Sequence, residues 1–126
     1  METRVVENKS LLQGNNDFET GILTVAASAT IPRGAFLARG TDEKFFAITD
    51  LETENPVAVN PVEIKNTGAA SADIPFRALI SGSVRFDMLS VNNQPITAAQ
   101  GDLLRQFAGI IPKRVTDLSW TRQGGI

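Results

Sequence analysis

A chain of 126 residues with 42% hydrophobic content suggests one globular domain with a real core. Its formal net charge of −2, from 12 basic and 14 acidic residues, leaves no electrostatic footprint for nucleic acid or an anionic membrane. Cysteine and histidine are both absent, which excludes disulfides, thiolate sites and Ser-His-Asp or Cys-His catalysis, and leaves zinc only carboxylates.

What chemistry remains rests on Asp, Glu, Lys, Arg and Ser, and no catalytic spacing of these residues stands out. The expectation is therefore a protein that is not an enzyme, with no catalytic residues, no cofactor and no bound metal. No apolar run approaches the roughly 20 residues of a membrane helix. The polar start, "METRVVENKS", does not read as a signal peptide.

Residues Met1 to Asp17 carry no helical stripe and end in the loop cluster Gly14-Asn15-Asn16-Asp17. They read as an arm (residues 1–17), flexible in isolation, with Val5, Val6, Leu11 and Leu12 as its apolar anchors. Residues 18–126 read as a single β-rich domain. Ile22 to Ala26 is rich in β-branched residues and predicts a strand.

The segment "IPRGAFLARG" admits a phosphate-binding loop or a turn that launches a strand. Pro32 suits the second position of a type I turn and Gly34 the fourth. Phe36 and Ala38 then alternate with Leu37 and Arg39. No helix and no lysine follows at the spacing that a phosphate loop needs, so the turn and strand are expected.

"TDEKFFAITD" predicts a short strand around Phe45 to Ile48. Asp42, Glu43, Asp50, Glu52 and Glu54 surround it without the EF-hand pattern, which points to a solvated loop. "NPVAVNPVEIKN" repeats Asn-Pro-Val, and Pro61 marks an edge or bulge. "TGAASAD" is a small-residue loop. In "PFRALISGSVRFDML", Phe76, Ala78 and Ile80 share a face, Ser81-Gly82-Ser83 interrupts, and Val84, Phe86 and Met88 resume. Arg85 and Asp87 sit two apart on the other face, spaced for an ion pair.

"VNNQP" is a turn. Thr97-Ala98-Ala99-Gln100 matches a capping box and opens a helix with its stripe at Ala99, Leu103 and Phe107, widened by Leu104 and Ala108. Gly109 suits its C-terminal cap, Pro112 stops it, and a last strand is expected near Val115. One core is expected from Phe36, Phe46, Phe76, Ile80, Val84, Phe86, Leu103 and Phe107. The fold class is mainly β: a small barrel or sandwich with one helix in its C-terminal half.

The order of "IPRGAFLARG", "PVAVNPVEI", "ALISGSVRFDML" and "GDLLRQFAGIIP" resembles the bacteriophage lambda-type head-decoration proteins, over roughly Gly21 to Pro112. The resemblance implies a structural virion protein, made in the host cytoplasm, that binds the outer surface of a phage capsid and stabilises it. It implies a homotrimer on the lattice of the major capsid (coat) protein, with Val5, Val6, Leu11, Leu12 and Phe18 as capsid contacts, and no nucleic-acid or membrane partner. A phage tail or head–tail connector module, or a small β-fold binding or hydrolytic domain, is the alternative.

Overall fold

The computed structural model describes residues 12–113. Ten strands, named in chain order, are β1 (Leu12–Val25), β2 (Thr30–Ile31), β3 (Phe36–Arg39), β4 (Phe45–Ala47), β5 (Ala58–Val59), β6 (Ile64–Lys65), β7 (Ala72–Arg85), β8 (Ser90–Val91), β9 (Gln94–Pro95) and β10 (Ile110–Lys113). A 3-10 turn spans Phe86–Met88, and one α-helix, α1, spans Ala98–Ala108. The largest sheet runs β1-β4-β3-β5-β7, and pairing of β1 with β7 closes it into a five-stranded barrel. β10 extends β7 as a parallel edge strand, where Pro112, lacking an N–H, disturbs no further ladder.

The barrel explains why the chain has two apolar clusters instead of the single core expected from sequence. Leu23, Val25, Leu37, Phe45, Ala58 and Ala78 come from all five barrel strands and meet in the interior. Phe36, Ala38, Val59 and Leu79 point the other way, and Leu89, Val91, Ile96, Leu104 and Ile110 cover them. Phe36, Leu37 and Ala38 are consequently buried in succession, because both faces of β3 are covered.

Of the eight expected core residues, Phe36 and Val84 are fully buried. Phe46, Phe76, Ile80, Phe86 and Leu103 are half-buried, and Phe107 is 46% exposed. The buried face of α1 instead holds Gly101 and Leu104, with Ala108 packed beside them. Gly101 sets this rotation: a Cβ there would lie 3.2 Å from the Phe86 ring and 3.5 Å from Pro112, so the helix approaches through its glycine. The ends of α1 follow the sequence reading. Thr97 and Gln100 form both capping-box bonds, and Gly109 takes the left-handed cap at φ 68°.

β1 and β7 form a long antiparallel hairpin-like pair that the sequence breaks into pieces. Gly14 to Asp17, expected as loop, lies within β1, where the register slips between Gln13 and Phe18. The Asn16 side-chain amide donates to the Ser83 carbonyl at 3.1 Å, across from that slip. Opposite it, Ser81-Gly82-Ser83 continues β7, with Gly82 at φ 132°. The irregularity inverts the strand's faces: Ala78 points into the barrel and Leu79 outward, whereas Val84 joins the outer cluster. Residues 12–17, assigned from sequence to the arm, are thus part of the sheet.

The motif "IPRGA" is a turn, as expected, but shifted by one residue. The Ala35 N–H donates to the Pro32 carbonyl at 3.2 Å, which puts Gly34, at φ 94°, third in the turn as in type II. Asn92 and Asn93 both have positive φ (53° and 63°) between β8 and β9, as a type I′ hairpin requires. Arg85 and Asp87 do pair, at 2.9 Å, although Asp87 lies in the 3-10 turn and not on a strand face. The last described strand ends at Lys113, and Val115, the expected centre of a final strand, falls outside the described residues.

Candidate interaction surface

The surface is organised by Asn60, which is fully buried just after β5. Its backbone N–H donates to the Ala35 carbonyl at 2.9 Å, and its carbonyl accepts from the Gly34 N–H at 2.7 Å. Its Nδ2 donates to the carbonyls of Ile31 (3.2 Å) and Pro32 (3.0 Å). Asn60 therefore locks the "IPRGA" turn to the second Asn-Pro-Val segment. Its Oδ1 is buried with no hydrogen-bond partner among the described residues.

Pro61 cannot extend the ladder, so the chain leaves the barrel as a ridge. At its crest Val62 is 64% exposed, the most exposed of the described large hydrophobic side chains. On one side of the ridge lies a cleft of about 480 Å³ lined by Phe18, Pro61, Val62, Ile64, Pro75 and Phe76, with Arg77 and Asn60 completing the wall. Arg77 is the one charged residue lining it. Its guanidinium sits 4.7 Å from the centre of the Phe18 ring, and no carboxylate pairs with it among the described residues. On the other side, Arg33, Glu63 and Met88 line a second depression with Pro61 and Val62.

A second charged region joins β1, β3 and β7 to Lys44, just before β4. Arg39 holds Glu19 at 3.0 Å and lies 4.3 Å over the Phe45 ring. Lys44 holds Asp73 at 2.6 Å, and the Thr24 hydroxyl donates to Asp73 at 2.9 Å. The acidic residues around β4 serve the turns: Asp42 Oδ1 accepts from the Lys44 N–H and Asp50 Oδ1 from the Glu52 N–H. Among the described residues no three acidic side chains converge as metal ligands.

Of the sequence-predicted contact residues, Val5, Val6 and Leu11 lie outside the described residues. Leu12 opens β1 opposite Val84 of β7, and Phe18, further along β1, pairs with Leu79 of β7. The structure brings Phe18 together with Phe76 and Arg77 in the cleft wall. Sequence reasoning treated Phe76 as core and passed over Val62 and Arg77. The signal available was Pro61 itself, which forces Val62 out of any regular strand. No helix among the described residues is long and apolar enough to cross a membrane. No protein-family model matches the chain, and no curated protein is significantly similar to it.

Proposed function

We propose that the chain is a structural virion protein that binds the outer surface of a phage capsid lattice and stabilises it, as a homotrimer seated on the major coat protein. The observation that carries this reading is the length of β1. It runs on to Leu12, opposite Val84 at the far end of the β1–β7 pair, and the residues that precede it in the sequence include Val5, Val6 and Leu11. A small closed barrel with a strand leading out of it suits a protein that touches a large lattice through a peripheral segment. A segment that extends a coat-protein sheet satisfies its backbone groups there and buries its apolar anchors at once. Each such contact is weak, and the many identical copies on a shell supply the avidity. The order of turn, strands, bulged β7 and late helix supports the likeness to lambda-type decoration proteins.

The test is co-sedimentation of the purified chain with empty phage coat-protein shells of its own source, followed by imaging. Saturable binding in clusters of three on the outer surface is expected. Shells that remain bare at saturating protein, or copies found only at a tail or neck, overturn the proposal in favour of a connector module.

A further inference from the structure

We infer that the cleft beside the Pro61–Val62 ridge is a self-association site, which receives Val62 and Glu63 of a second copy of this chain. The inference deepens the homotrimer reading above and rests on its premise that copies meet one another. The argument is one of complementarity within a single patch. The cleft wall is mostly hydrocarbon, with Asn60 and one cation, Arg77, among its lining residues. The ridge next to it presents the reverse: an exposed aliphatic side chain, Val62, followed by an exposed carboxylate, Glu63. Glu63 has no ion-pair partner among the described residues, and neither has Arg77.

The Arg77 guanidinium lies over the Phe18 ring, 4.7 Å from its centre, and its N–H groups can donate to a carboxylate side-on. Burial of Val62 in the neighbouring cleft dehydrates that pair, which strengthens it. Nucleic acid is a poor occupant, because a single cation in a chain of net charge −2 cannot neutralise several phosphates. Strand addition along the cleft wall is also disfavoured, since Pro61 and Pro75 offer no N–H. A knob beside its own socket recurs on every copy, so the same two residues serve a two-fold pair or a closed ring.

The chain has no cysteine, which makes thiol cross-linking clean. Thiols replacing the two charged ends stand too far apart for a direct disulfide, so the E63C/R77C variant, treated as full-length protein with a bis-maleimide at up to about 1 mM, a range that captures weak association, should give covalent dimers and larger species on a denaturing gel. E63C/Q106C, whose second thiol sits on the exposed face of α1, should not. Charge reversal gives a second readout by sedimentation. R77E and E63R should each weaken self-association about tenfold, and the double reversal E63R/R77E should recover most of it. Trapping no greater than in the control, or no recovery in the double reversal, overturns the inference. So does R77E abolishing shell binding with self-association unchanged, which would give the cleft to the coat protein. Shell binding that persists without trapping leaves the lattice reading standing and removes this one alone.

Discussion

The backbone carbonyl of Met88 occupies the place where a side chain on Gly34 would begin. The two segments are stitched together there, since the Ser90 N–H donates to the Gly34 carbonyl at 3.1 Å and Ala35 bridges Ser90. Gly34 thus answers two demands: the positive φ of its turn and the approach of the chain leaving the 3-10 turn.

Gly34→Ala should therefore cost about 2–5 kcal/mol, combining roughly 1–2 for a left-handed backbone with roughly 1–3 for overpacking. Urea unfolding at neutral pH measures it. A midpoint shift equivalent to under about 0.5 kcal/mol, the scale of a bland surface change, would show that the Met88 segment moves aside freely.

The two apolar clusters predict a sharp contrast between phenylalanines. Phe45 is completely buried in the barrel and packs edge-on to Phe76, ring centres 5.5 Å apart. Phe45→Ala should cost about 3–5 kcal/mol. Phe107, though it falls on the helix stripe read from sequence, is exposed, and Phe107→Ala should change stability by less than about 0.5 kcal/mol. Comparable losses in the two variants would mean that Phe107 is covered by something in solution.

These contrasts also show which features were legible beforehand. The capping box at Thr97, the left-handed cap at Gly109 and the Asn92-Asn93 turn depend on neighbours within a few residues, and local chemistry specifies them. The inversion of faces at Ser81-Gly82-Ser83 does not, because it depends on a slip in β1 at Gln13 to Phe18, far away in sequence. Phe45 and Phe46 are adjacent and equally apolar. Only closure of the barrel decides that Phe45 is the interior one. Likewise Val62 continues an apparent alternation with Ile64, and its exposure becomes visible only once Asn60 is seen anchoring the ridge. The sequence marks Val5, Val6 and Leu11 only as apolar positions in a polar run, and it gives Arg77, between Phe76 and Ala78, no distinguishing signal.

Asp73 carries a pH signature. The hydrogen bond from Lys44, and then that from Thr24, hold its carboxyl below the usual aspartate range. Lys44 is raised in turn, chiefly by its hydrogen bond to Asp73. A depressed carboxyl stabilises the fold above its unfolded pKa and loses that contribution as pH falls through the folded value. A raised lysine stabilises below its unfolded pKa and loses the contribution as pH rises through the folded value. The pair therefore helps across the neutral range and fades in acid and in strong alkali. Both groups face solvent, so the effect on stability is small. Carboxyl-carbon NMR should place the Asp73 midpoint below that of a reference aspartate, and Lys44→Ala should move it upward. A midpoint unmoved by that substitution would remove Lys44 as the cause.

Truncation separates the sheet from the proposed contact segment. Described pairing begins at Leu12 opposite Val84 and continues at Gln13 with Ser83, and Asn16 adds its amide bond to Ser83. Deletion of residues 1–17 removes those bonds along with the Asp17–Ser81 pairing. At roughly 1 kcal/mol net per hydrogen bond it should destabilise the domain by about 2–4 kcal/mol. Deletion of residues 1–11 spares them all and should leave the thermal unfolding transition almost unchanged. Both truncations should lose binding to coat-protein shells, because both remove Val5, Val6 and Leu11. Ordering each residue of such a segment on a partner costs roughly 1–2 kcal/mol, so single contacts stay weak and occupancy depends on many copies. The loss should accordingly appear as a large rise in the concentration needed for half-saturation. If the chain lacking residues 1–11 decorates shells at the same concentration as the full chain, the lattice contact lies on the barrel. If that deletion lowers the unfolding temperature as much as removal of residues 1–17 does, the segment before Leu12 belongs to the fold.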